Sequence, residues 1–162
     1  MRIRDATPAD LPGVLAIYND IIATSTAIYT SEPTTLAERT AWWEMRRARG
    51  YPLIVAADRD EIFAFGSFGD WRTSPGYVST VEHTVHVRAD CRRRGLGRAI
   101  VTDLIERARA LGKHVMLGGI DADNSASLAL HEGLGFERAA LHRQVARKFD
   151  RWLDLVFVQR LL

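Results

Sequence analysis

The sequence predicts an α/β fold: one mixed, mostly antiparallel central sheet with helices on both faces. Three observations lead there. Apolar residues recur with a period of two in some stretches and near 3.6 in others. Three consecutive strand-like stretches fill the middle of the chain, and two more close it. The 162 residues, 47% hydrophobic and 26% charged, suit one domain over 1–162 with a sizeable core and no linkers or repeats.

Arg2 to Ala6 reads as a first strand. Thr7-Pro8-Ala9-Asp10 then opens a helix, with Thr7 as cap and Asp10 at the favourable end of the dipole. Its core side carries Leu11, Val14, Leu15, Tyr18, Ile21 and Ile22. A Thr/Ser-rich loop, residues 23–32, follows. Thr35-x-x-Glu38 is a capping box for a second helix running to about Gly50, whose Trp42, Trp43 and Met45 read as core. Strands are expected over 53–57 and 62–68, joined by a hairpin turn at Asp58–Glu61, and over 77–87 after a Gly69–Gly76 loop. A helix to about Gly112, a strand over 115–120 and a short helix over 125–134 come next. Strands over 136–145 and 152–161 end the series.

The stretch from Val81 to Ile100 organises the chain. Alternation places Val81, His83, Val85 and Val87 on one strand face and Glu82, Thr84 and His86 on the other. On that reading His83 and His86 do not reach one site, and no metal is expected. The strand breaks at Arg92-Arg93-Arg94-Gly95-Leu96-Gly97-Arg98 and restarts as a helix. A glycine turn between strand and helix offers free N–H groups and a positive dipole end to an anion, and the arginines add charge of the same sign. The plain alternative is a solvated loop. The spacing matches neither the dinucleotide fingerprint nor the P-loop. Cys91 has no base beside it and reads as incidental. On the short later helix Asn124, Ser127 and His131 form one polar stripe.

With 22 basic and 20 acidic residues the net charge is only +2, so no nucleic-acid partner is expected. No apolar run approaches the ~20 residues of a membrane span. A single cysteine suits a reducing compartment, and a cytoplasmic protein is expected.

At Arg92-x-x-Gly95-x-Gly97, and at Asn124 with Leu130-His131-x-x-Leu134-Gly135-Phe136, the chain resembles the GNAT superfamily of acyl-coenzyme A-dependent N-acetyltransferases. Gly69-Asp70-Trp71-Arg72, Val81-Glu82-His83-Thr84-Val85 and Arg147 to Leu155 resemble its phosphinothricin and methionine sulfoximine branch more closely. The resemblance implies a GNAT fold and acetyl transfer from acetyl-CoA to a small-molecule amine by direct attack, in a homodimer. It implies cofactor contacts from Arg92, Arg93, Arg94, Gly95, Leu96, Gly97 and Arg98, from the main chain of Val85, His86 and Val87, and from Asn124, Ser127 and His131. Glu82 would be the base and His131 an acid or a cofactor ligand; the plain reading of Glu82 is a strand carboxylate without catalytic duty. Arg72 would hold the substrate's acid group, with Thr73, Ser74, His83, Thr84 and Tyr29 as further substrate contacts and Lys148 as an anion contact. Thr73-Ser74-Pro75, where an aromatic is expected, and Asp150, where glycine is expected, depart from that branch. Other acceptors (a polyamine, an aminoglycoside, a protein N-terminus) and a non-catalytic acyl-CoA sensor stay open at this level.

Overall fold

In the computed structural model, which describes residues 1–162, seven strands form one sheet. They are β1 (Arg2–Asp5), β2 (Leu53–Asp58), β3 (Glu61–Asp70), β4 (Thr80–Val87), β5 (Val115–Asp121), β6 (Glu137–Lys148) and β7 (Arg151–Leu161). The spatial order is β1-β2-β3-β4-β5-β7-β6, and only β4 and β5 run parallel. The helices are α1 (Leu11–Thr24), α2 (Leu36–Ala48), α3 (Leu96–Ala110) and α4 (Ser125–Glu132).

Strand alternation sorts the core into two layers. Ile54 and Ala56 of β2 join Phe68, Val81, Met116 and Val158 under α3 and α4. Leu53, Val55 and Ala57, from the same strand, pack with Phe65 under α1 and Trp43 of α2. Fully burying each of the larger of these side chains contributes about 1.5–3 kcal/mol. Helices thus cover both faces, as the alternating periods require.

Several local expectations shift. Ile17 is buried in α1 whereas Leu15 is half-buried, and Met45 is 53% exposed because it rides the outer side of α2. β4 starts at Thr80, since Pro75–Tyr77 forms a 3-10 turn. β6 and β7 run almost to their turn, leaving only Phe149 and Asp150 at its tip, with φ of 51° and 57°. A two-residue hairpin turn with both φ values positive favours glycine, the residue that the resemblance implies where Asp150 stands.

The loop between α1 and α2 is tied to the far half of the sheet. Thr26 donates to the Asp121 carboxylate, and the Tyr29 hydroxyl donates to the Asp154 carbonyl at 2.8 Å. Lys148 Nζ donates to the carbonyls of Ser25 at 2.6 Å and Ile28 at 2.9 Å. The Lys148 ammonium is buried and spent on these carbonyls, so it is not the anion contact expected from sequence. Its desolvation lowers its pKa.

Candidate active site

The two central parallel strands pair only briefly. Thr80–Glu82 lie beside Val115–Leu117, and from there β4 and β5 part. A cavity of about 230 Å³ fills the gap. It is lined by His83, Thr84, Val85 and His86 of β4 and by Gly118 to Asp121 of β5. Asn124, Ser127 and His131 of α4 and Tyr18 of α1 complete most of the wall. Because the gap passes through the sheet, side chains from both strand faces border it. His83 and His86 therefore line the same cavity, contrary to the expectation from alternation alone.

Two adjacent glycines make room at the fork. A Cβ on Gly118 would stand 2.7 Å from His83 Cε1, and one on Gly119 would stand 3.4 Å from Glu82 Oε1. Glycine pairs inside a strand mark close approach, a signal that lies within the strand expected over 115–120.

His83 reaches across to α4. Its Nε2 lies 2.9 Å from His131 Nε2, and its Nδ1 lies 2.7 Å from the Leu117 carbonyl. His131 Nδ1 lies 2.7 Å from the Ser127 carbonyl. A carbonyl only accepts, so both Nδ1 atoms carry protons, and the contact between the Nε2 atoms calls for one more. Burial lowers both rings' affinity for it, with His83 brought down to about 3. That extra proton is therefore absent at pH 7, and the two neutral rings meet at their Nε2 lone pairs. His86 faces α1 instead, its ring edge-on to Tyr18 at 5.9 Å. Burial and, after it, the Arg39 charge bring His86 to about 4, so it is neutral at pH 7.

Glu82 is half-buried on the α1/α2 side of the sheet. Burial raises its pKa above the usual carboxylate value, and the Arg46 charge opposes that rise. Arg46, like Arg39, is a neighbour that sequence reading missed, because charges on an amphipathic helix are expected in solvent.

The basic turn has the shape of an anion cradle. Arg93 and Gly95 adopt left-handed backbone, φ 62° and 79°. None of the backbone N–H groups from Arg93 to Arg98 has a partner in the chain; the first bonded one is Ala99, to the Gly95 carbonyl. Successive free amides at a helix start suit phosphate. The Arg92, Arg93 and Arg94 side chains are exposed, whereas Leu96 is buried and offers only its N–H. Arg98 donates to the Gly133 carbonyl at 3.1 Å and so links α3 to α4. Val85 and Val87 pack against the core, and their main chain lies on the stretch of β4 that pairs with β3 alone. Asn124 caps α4 by accepting from the Ser127 N–H at 3.1 Å.

The remaining expected contacts are scattered. Thr84 is exposed at the cavity. Arg72, Thr73 and Ser74 are not brought into the gap; they line a separate hollow of about 140 Å³ with Arg49 and Asp70. The Arg72 guanidinium lies 4.6 Å from the Trp71 ring. Tyr29 stands outside the cavity lining, with its hydroxyl committed to Asp154.

A split sheet with an anion cradle at one end of the gap and a desolvated carboxylate at its edge is the layout of a group-transfer enzyme with a phosphate-bearing donor. Comparison with known proteins agrees. Residues 14–136 match the acetyltransferase (GNAT) family. The L-methionine sulfoximine/L-methionine sulfone acetyltransferase of Pseudomonas paraeruginosa is 52% identical over 158 residues, 97% of this chain and 92% of the relative. The ribosomal-protein-alanine N-acetyltransferase structure from Brucella melitensis superposes with TM-score 0.97 at 41% identity, each chain fully covered. The Salmonella typhimurium yncA protein, solved with its cofactor acetyl-CoA, gives TM-score 0.97 at 42% identity, covering 100% of this chain and 94% of that one.

The chain belongs to the GNAT family. It is an N-acetyltransferase, and its acetyl donor is acetyl-CoA. The free amides of Arg93 to Arg98 and the open space above Gly95, where a Cβ would meet nothing within 4 Å, fit the donor's diphosphate. No helix is long and apolar enough to cross a membrane.

Proposed function

We propose that the acceptor is the primary amine of a small amino-acid-like molecule of the methionine sulfoximine, methionine sulfone or phosphinothricin type. The observation that carries this reading is Glu82, a desolvated carboxylate at the fork of β4 and β5. The 52% identity to a methionine sulfoximine/sulfone acetyltransferase supports it. An amine that is protonated at neutral pH must lose a proton before it attacks, and Glu82 takes it, directly or through a water. Acetyl-CoA, when bound, supplies an activated acetyl thioester. The amides of Arg93 to Arg98 hold its diphosphate, with Arg92 adding charge. Main-chain N–H groups of Val85 and Val87, which alternate away from β3 on the stretch without a β5 partner, face the oxygen that gains negative charge. His131, held by Ser127 and set against His83, lines the cavity as a cofactor contact, and the departing sulfur takes the proton that the attacking nitrogen sheds as the amide forms. Asn124 and Ser127 hold the α4 wall in place.

Thiol release with a panel of amines tests the reading. Turnover with methionine sulfoximine, methionine sulfone or phosphinothricin is expected. Activity confined to spermidine, to an aminoglycoside or to a peptide with N-terminal alanine would overturn the choice of acceptor. The peptide is a pointed control, given the Brucella neighbour's description. Binding of acetyl-CoA with no turnover at all would instead favour a sensor.

The oligomer proposed is a homodimer in the cytoplasm. Its support is the β6–β7 arm, where Leu141, Val145, Phe149 and Trp152 are each more than half exposed. Light scattering that gives the monomer mass at working concentration would contradict it.

A further inference from the structure

Along α2, Arg39, Trp42 and Arg46 are spaced three and four apart and share one stripe turned toward the sheet. The Arg39 guanidinium lies 3.7 Å from the Tyr18 ring centre and 4.7 Å from that of Trp42. The Arg46 guanidinium lies 4.8 Å from the Trp42 ring centre. The side chain of Arg39 is only 7% exposed. Neither arginine takes part in any ion pair of the chain. Arg39 Nε and Arg46 Nε and Nη1 are shut off from solvent with no hydrogen-bond partner.

Two desolvated cations without acceptors are costly, and proteins hold such groups where an anion completes them. The nearby carboxylates do not serve. Asp70 is already engaged by Arg49 and Tyr51, and Glu82 acts on Arg46 through space without a hydrogen bond. Position makes the arrangement specific. Arg46 lies across Gly69, where a Cβ would collide with its Nη1, and Gly69 is the register partner of Glu82. The Arg46 guanidinium therefore reaches the sheet beside the strand position that carries Glu82. At the other end of the stripe Arg39 stands over Tyr18, which lines the cavity, and its charge reaches His86.

We propose that Arg46, seconded by Arg39 across Trp42, binds the carboxylate of an amino-acid acceptor whose amine faces Glu82. This inference rests on the acetyl-transfer reading above and narrows it: free amino acids fit, whereas a polycationic acceptor meets two unneutralised arginines. The guanidinium fork suits carboxylate oxygens in a way that a lysine ammonium does not.

The test is calorimetric titration, with coenzyme A present, of L-methionine sulfone and of its carboxamide into wild-type, Arg39→Gln, Arg46→Gln and Arg46→Lys proteins. Wild type is expected to favour the free acid by about tenfold or more. Arg46→Gln abolishes that preference, Arg46→Lys keeps part of it, and Arg39→Gln narrows it, with KM for acetyl-CoA unchanged. A wild type that binds acid and amide equally overturns the proposal, with no variant needed. So does an Arg46→Gln protein that keeps the full preference. Binding is read apart from turnover. An Arg46-dependent acid preference without thiol release would leave the anion site standing and remove the acceptor assignment; turnover without acid preference would do the reverse.

Discussion

His83 and His131 meet Nε2 to Nε2 at 2.9 Å, from a central strand and a helix 48 residues apart in sequence. Each ring is fixed at its other nitrogen by a carbonyl, so the two are set as one unit and removing either frees the other. His83→Gln and His131→Gln are expected to lower kcat with acetyl-CoA by about 10²-fold each, and the double variant by no more than either single one. Steady-state kinetics on the three proteins checks this; losses that multiply would separate the two residues.

Gly118 holds that pair together by being bare. An added Cβ stands 2.7 Å from His83 Cε1 and also meets Val158 Cγ2 at 3.3 Å, on the side of the core. Gly118→Ala is expected to cost about 1–3 kcal/mol by overpacking and to reproduce the His83→Gln kinetic defect. Urea melts and kcat on one preparation measure both.

Asp10 links β1 to the start of α1. Its carboxylate accepts from both Arg4 Nη atoms, at 2.6 and 2.8 Å, and from the Thr7 N–H at 2.7 Å. The Arg4 hydrogen bond is the largest cause that brings its pKa from 3.8 down to about 2. A carboxyl with a depressed folded-state pKa stabilises above its unfolded value, and that stability fades as pH falls through the folded one. Asp10→Asn is therefore expected to lose about 2 kcal/mol at pH 7. The deficit against wild type shrinks between pH 4 and pH 2, a trend that urea melts across that range would follow.

Asp150 stands in left-handed backbone with φ of 57° and is fully exposed at the hairpin tip. Its side chain pairs only loosely with Arg147, at 3.6 Å. Asp150→Gly removes the Cβ clash and is expected to stabilise by about 0.5–1 kcal/mol, a rise of about 1–4 °C in Tm. Calorimetric melting that shows a fall instead would assign the Arg147 pair more weight than its exposure allows.

Much of this site was legible in the chain. The triple-arginine turn announces itself by glycines at the junction of two periods, and the strand before it by alternation. The capping residue Asn124 and the stripe through His131 follow from helical spacing. Less legible was everything set by register. Alternation puts His83 and His86 on opposite faces, but it says nothing of where β4 leaves β5, and that parting lets both rings border one cavity. Arg39 and Arg46 look like an ordinary solvated helix face until α2 is laid against the sheet. Arg72, which the resemblance makes the holder of the substrate's acid group, lies against Trp71 and lines a hollow separate from the gap, a placement set by the loop after β3.

The most direct test is the pH dependence of kcat/KM for methionine sulfone with wild-type and Glu82→Gln protein, alongside calorimetric binding of acetyl-CoA. Only ionised Glu82 accepts a proton, and burial raises its pKa from 4.5, so wild-type activity climbs with pH along a limb displaced above that value. Glu82→Gln is expected to lose about 10²–10⁴-fold in kcat/KM and to bind acetyl-CoA as wild type does. A Glu82→Gln protein that turns over at the wild-type rate, with the same acid limb, would contradict the assignment of the base to the fork between β4 and β5.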